Sequence, residues 1–128
     1  MSKTETPTGD CYQAAGTLVC LGSYSDHPRS DRVPEGAELV HGRPTLTRPP
    51  RVAYGHAWIE FEADGMRWVL EVTNGRDQLV PAVLYYAAGT IDPEVELHRY
   101  TRDEACAMSY EREHWGPWEG VESEDLGR

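Results

Sequence analysis

The feature that most constrains this chain is the dipeptide Asp64-Gly65 set between two alternating apolar segments, residues 54–63 (YGHAWIEFEA) and 66–73 (MRWVLEVT). Both residues of such a pair tolerate positive φ, which a two-residue hairpin turn demands, so the two segments are expected to pair as antiparallel strands. Ala63 then faces Met66, and counting outward His56 faces Thr73 while Trp58 faces Glu71. Side chains alternate across a strand. One face of the hairpin therefore carries His56, Trp58, Glu60 and Glu62 with Arg67, Val69, Glu71 and Thr73. The other carries Ala57, Ile59 and Phe61 with Met66, Trp68, Leu70, Val72 and Asn74, and its nearly continuous apolar surface marks it as core. On the mixed face Glu60, Glu62 and Arg67 lie toward the turn, where water or mutual pairing accommodates them. Glu71 lies one diagonal step from His56, within reach of its ring.

The rest of the chain supplies elements to cover that sheet. Over residues 10–22, Cys11, Ala14, Ala15, Leu18 and Val19 fall at helical spacing, with Thr8 or Asp10 available as a cap and Gly22 as a stop. Residues 23–37 read as a polar surface loop, Glu38 to Gly42 as a short strand, and the proline-rich stretch 43–51 as an extended connection. Residues 81–88 predict a short helix with Pro81 in its first turn and Gly89 as its stop. Residues 94–100 predict a strand, and Thr101 with Glu104 forms a capping box opening a helix to about His114. The order of helix, strand, hairpin, helix, strand and helix defines an α+β fold, an N-terminal helix packed on a small antiparallel sheet. The expected organisation is a flexible lead-in over residues 1–8, one catalytic-type domain over 9–118 and an acidic tail over 119–128.

Composition narrows the partners. Twelve Lys and Arg against 22 Asp and Glu give a net charge of −10, a surface that repels nucleic-acid phosphates and anionic membranes. No apolar run approaches the ~20 residues of a membrane span. Three cysteines without a CxxC pair, and a polar opening without signal-peptide character, predict free thiols in a reducing cytoplasm. His27, His41, His98 and His114 show no ligand spacing with cysteine, so no metal and no cofactor are expected. Cys20 and Cys106 read as packing residues, and Trp115 with Trp118 as a cap over the core.

Cys11 is a different case. It sits in the first turn of a helix, where the dipole and the free N–H groups favour a thiolate and an oxyanion. A nucleophilic thiol needs a base from elsewhere in the chain, and His56, at the rim of the hairpin after Gly55, is the leading candidate. A carboxylate would orient the imidazole; Glu71 is favoured over Asn74, which parity assigns to the opposite face unless a bulge reorients it, while Asp77 lies further on. Asp10, Tyr12, Gln13 and Trp58 are candidates for oxyanion or substrate contacts. The structural alternative is a buried Cys11, a strand-end His56, and a Glu71 paired with Arg67.

The segments Gly9-Asp10-Cys11-Tyr12, Gly55-His56-Ala57-Trp58-Ile59-Glu60 and Trp68-Val69-Leu70-Glu71 together resemble the papain-like, transglutaminase-like superfamily. There a Cys heads a helix, a HAW[VI]E strand supplies the His and the next strand an Asp. Glu71-Val72-Thr73-Asn74 stands where the Asp segment belongs, a departure from the family pattern. The resemblance implies cysteine-dependent acyl transfer or amide hydrolysis (a peptidase, amidase, deamidase or transglutaminase-like enzyme) on a protein, peptide or small amide. The wider pattern (LVHG, GHAW, VTNGRD, LYYAAG, HRYT, HWGPW) is also similar to small bacteriophage and bacterial proteins. That likeness keeps open a non-enzymatic acidic inhibitor or adaptor of a host protein; a cysteine redox sensor is a third possibility. The loop 43–53, with Arg43, Arg48 and Arg51 and no acidic residue, is expected to face the substrate.

Overall fold

The computed structural model describes residues 11–45, 55–92 and 97–118. The turn forms as the sequence requires. Asp64 and Gly65 both take positive φ, 55° and 76°, and the strands they join, β4 (His56–Ala63) and β5 (Met66–Glu71), pair from Ala63 with Met66 through Ile59 with Leu70. Beyond that point Glu71 continues the outer ladder, opposite Gln78.

Around the hairpin the elements run α1 (Cys11–Leu21), β1 (Ser23–Tyr24), β2 (Arg32–Val33), β3 (Glu38–Gly42), β4, β5, a 3-10 turn (Thr73–Gly75), β6 (Gln78–Pro81), α2 (Ala82–Gly89), β7 (His98–Tyr100) and α3 (Arg102–Arg112). The fold is α+β. Its main sheet is five-stranded in the order β6-β5-β4-β3-β7, antiparallel throughout, with β4 at the centre. Among the described residues no helix is long and apolar enough to cross a membrane.

Two apolar layers flank the sheet. On one face Ala57, Ile59, Phe61, Leu70 and Val72 pack against Ala15, Leu18 and Val19 of α1 and Ala105 of α3. Each large aliphatic side chain buried there contributes about 1.5–3 kcal/mol. Gly16 lets α1 approach Trp115: a Cβ at that position would lie 2.6 Å from the indole. The Arg102 guanidinium donates to the Cys20 carbonyl at 3.1 Å, placing a cation at the carboxyl end of α1, where the helix dipole favours it. Cys20 lies beside Cys106, whose thiol is 3.8 Å from the same carbonyl. The capping box on α3 is present in full, Glu104 N–H to Thr101 Oγ1 and Thr101 N–H to Glu104 Oε1.

The opposite face is also covered. Val40, Trp58 and Val69 pack against Ala82 of α2 and against Ile91, with Tyr85 and Tyr86 alongside. The mixed face of the hairpin is thus a second interior, and Glu60, expected to be paired or solvated toward the turn, has no exposed surface. Three smaller differences follow from local packing. The polar stretch 23–37 contains the short parallel pair β1–β2 and buries Val33 and Ala37. Residues 78–81 form the edge strand β6, which ends at Pro81, the N-cap of α2. Gly89 is the last helical residue, and Thr90 ends the helix in the left-handed conformation.

Candidate active site

The N-terminal end of α1 and the open end of the hairpin meet. Cys11 is the first residue of α1 and is 6% exposed. The N–H groups of a first helical turn have no partners within the helix, so they surround the thiol with donors. His56 is the first residue of β4, paired with Gly42 of β3, and is 9% exposed. Its Nε2 lies 2.8 Å from Oε1 of Glu71, and Cys11 is near enough to favour the charged form of the ring. With Nε2 held by the carboxylate, Nδ1 is the ring nitrogen left for the thiol.

Glu71 is 4% exposed and heavily supplied with donors. Besides the imidazole, Oε1 accepts the Tyr85 hydroxyl at 2.8 Å, and Oε2 accepts the Thr73 N–H at 3.1 Å and the Thr73 hydroxyl. Burial alone would raise its pKa, but the hydrogen bond and charge of His56, with Thr73 and Tyr85, outweigh it and bring the carboxyl down to about 2. Burial likewise works against a charged imidazole. Hydrogen bonds to Cys11 and Glu71 and the charge of both prevail, and His56 is raised to about 9. An imidazolium between the Cys11 sulfur and the Glu71 carboxylate is therefore the favoured state at neutral pH.

The remaining candidates fall in different surroundings. Asn74 is an exposed residue of the 3-10 turn, with left-handed φ and ψ of 57° and 35°, a conformation that asparagine tolerates. The carboxylate bonded to the imidazole belongs to Glu71. Trp58 is wholly buried behind His56, and its indole N–H is directed to Glu60 Oε2 at 2.9 Å. Tyr12 turns its ring onto His41, with centroids 4.9 Å apart. Gln13 is exposed on α1. Asp77 sits 3.8 Å from Arg29. Asp10, Thr8 and most of the basic loop, including Arg48 and Arg51, lie outside the described residues, as does the first part of the strand expected over 94–100.

Tyr85 and Thr73 are the site residues that sequence reasoning missed. A buried carboxylate on the mixed face needs several donors, and that requirement points to hydroxyl-bearing neighbours such as the Tyr85-Tyr86 pair. Tyr86 serves the other buried carboxylate: its hydroxyl donates to Glu60 Oε2 at 2.7 Å, and Arg67 and Arg99 reach Glu60 Oε1 at 2.7 and 3.3 Å. His41 is a different kind of buried histidine. It has no exposed surface and lies among the rings of Tyr12, Tyr100 and Trp118. Burial, with a contribution from His98, lowers its pKa to about 3, so it is neutral. Among the described residues, no group of three or more His, Cys, Asp or Glu side chains could hold a metal ion.

Comparison of the chain with protein-family models, with curated proteins and with solved structures returns no match. The likeness to papain-like and transglutaminase-like enzymes therefore rests on the short motifs alone.

Proposed function

We propose that the protein is a cysteine-dependent hydrolase or acyltransferase acting on an amide or ester carbonyl, with Cys11, His56 and Glu71 as its triad. What carries the proposal is one imidazole hydrogen-bonded at 2.8 Å to a buried carboxylate and close enough to a thiol at a helix start for that sulfur to favour its charged form. A strand-end histidine kept only for packing has no need of both partners.

In this reading the Cys11 sulfur, its proton transferred to His56, attacks the carbonyl carbon. The carbonyl oxygen becomes an oxyanion facing the N–H groups of the first turn of α1. As the carbon–nitrogen bond breaks, the imidazolium gives its proton to the departing amine, leaving a thioester on Cys11. Water, losing a proton to His56, then releases a carboxylic acid and restores the thiol; an amine in place of water gives a new amide. Glu71 stays ionised and fixes the ring, while Thr73 and Tyr85 fix Glu71. A reducing, cytoplasmic setting suits the chemistry, since the nucleophile must remain a free thiol; Cys11 is one. The substrate is a protein, a peptide or a small amide, and the acidic surface argues against nucleic acid and anionic membranes.

The test is alkylation of Cys11 by iodoacetamide as a function of pH, followed by peptide mapping. At pH 7 the wild type should label at least about tenfold faster than His56→Ala, the loss expected when the thiolate's paired base is removed. Equal rates across the pH range would remove the acyl-transfer reading.

A further inference from the structure

Cys20 and Cys106 take no part in the site at the start of α1, and they lie side by side near its other end. Both are free thiols. Two residues of α3 one helical turn apart, and so on the same side of it, reach one carbonyl of α1. Arg102 donates to the Cys20 oxygen at 3.1 Å, and the Cys106 thiol lies 3.8 Å from the same oxygen. Ala105, next to Cys106, has no exposed surface, and so small a side chain at the contact lets the two helices approach closely. The Cys20 thiol registers that closeness. Burial first, and then Cys106, push it up to about 12, with the Arg102 guanidinium working weakly the other way.

The two thiols differ in access. Cys20 is 3% exposed, whereas Cys106 is half-buried. A reagent from solvent therefore meets Cys106 first, and Cys20 is positioned to answer it. Cys11 is out of range of both roles: from Cys11 to Cys20 the helix rises about 13 Å, too far for a bond between them while α1 is intact.

The geometry points to Cys20 and Cys106 as an oxidisable pair, which closes a disulfide between α1 and α3 when a small-molecule disulfide such as oxidised glutathione accumulates. Cys106, its proton lost to solvent, attacks one sulfur of the oxidant. That S–S bond breaks, and one glutathione leaves as a thiolate that takes up a proton. Cys20 then gives up its proton and attacks the Cys106 sulfur, displacing the second glutathione. Two protein thiols are oxidised to one disulfide, and one glutathione disulfide is reduced to two thiols. In a reducing setting the pair stays open, and exchange with glutathione reverses the bond. The bond joins residues 86 positions apart, a long loop whose closure restricts the unfolded chain. The oxidised form is therefore the more stable one. This inference is independent of the acyl-transfer reading.

The test exposes the folded full chain to oxidised glutathione at about pH 8, where thiol exchange proceeds readily, followed by peptide mapping. The Cys20 and Cys106 peptides should be joined within one monomer, in wild type and in Cys11→Ser at rates within about twofold. In the Cys11→Ser chain the urea midpoint should rise by about 1 M or more on oxidation and return on reduction. Cys20→Ala should instead retain glutathione on Cys106, and Cys106→Ser should leave Cys20 unmodified.

Thiols that both remain free would overturn the inference, as would glutathione held on Cys106 in a chain that still has Cys20. A link that forms only in urea, or between two chains, would do the same. A midpoint that does not rise would show that the bond strains the packing of α1 on α3, and would overturn it as well.

Discussion

Glu60 and Glu71 occupy the same face of the central hairpin, both beneath α2, and their exposures are 0% and 4%. Each accepts from one of two consecutive tyrosines, Glu60 from Tyr86 and Glu71 from Tyr85. The cations that neutralise them differ. Glu60 is held by Arg67 and Arg99, which stay charged at every pH the protein survives. Glu71 is held by His56, which can release its proton and whose charge is also favoured by Cys11. A buried carboxylate on this sheet thus serves structure or chemistry according to whether its partner can titrate within the working range.

The largest effect that follows concerns Glu60. Replacing it by Ala leaves Arg67 and Arg99 without their buried counter-ion and the Trp58 N–H and Tyr86 hydroxyl without an acceptor. Loss of one partner from a buried pair typically costs about 3–5 kcal/mol, and because the arginines are partly exposed the expected loss is about 3 kcal/mol. Urea denaturation is the measurement. The exposed Glu62, 3.5 Å from the same Arg67, is the control, with a cost for Glu62→Ala below about 1 kcal/mol. Similar losses for the two variants would break the distinction between a buried structural carboxylate and a surface one.

The second effect separates the two clusters by pH. His56 is raised in the folded protein from 6.5 to about 9, so its contribution to stability is complete below 6.5 and disappears as pH rises through about 9. Glu71 is lowered from 4.5 to about 2, so its contribution is complete above 4.5 and disappears as pH falls toward 2. The stability difference between wild type and Glu71→Gln should therefore be greatest between about pH 5 and 6.5, on the order of 2 kcal/mol, and shrink on both sides. Glu60 is also lowered, but its arginine partners do not titrate, so its cluster has an acid limb and no alkaline one below pH 10, above which Tyr86 titrates. A stability difference for Glu71→Gln that stays level from pH 6 to pH 10 would show that His56 is not the group answering Glu71.

How much of this was legible in the sequence follows from the range of each signal. The hairpin register was legible because a two-residue turn fixes it, and from the register came the side-chain parity that brings Glu71 to His56. The capping box on α3 was legible because Thr101 and Glu104 are local to one another. The docking of α2 was not. Its sequence, AVLYYAAG, is apolar all round and names no buried face, so nothing announced that the mixed face of the hairpin would be covered or that Glu60 would lose all contact with water. The edge strand β6 was missed because four residues ending in proline carry almost no pattern. The meeting of Cys11 with His56 joins elements far apart in the chain; periodicity within each is silent about it, and it was anticipated only by the requirement of a nucleophilic thiol for a base and by the short-motif resemblance.

The smallest predicted effect is also the most selective, because it alters one hydroxyl on each carboxylate. Tyr85→Phe and Tyr86→Phe each remove a single hydrogen bond to a buried acceptor, and each should cost about 1 kcal/mol at neutral pH. Their pH dependence should differ. Without the Tyr85 hydroxyl, Glu71 keeps His56 and both Thr73 donors but loses part of what lowers its pKa. The acid limb of stability should then move to higher pH, and the pH profile of Cys11 alkylation should shift with it. Tyr86→Phe also deprives Arg99 of a contact at 3.1 Å, but Glu60 retains Arg67, Arg99 and the Trp58 N–H, so alkylation of Cys11 should follow the wild-type profile. If the two variants shift that profile equally, the carboxylates are coupled through α2, and the division between a structural and a chemical cluster on this face does not hold.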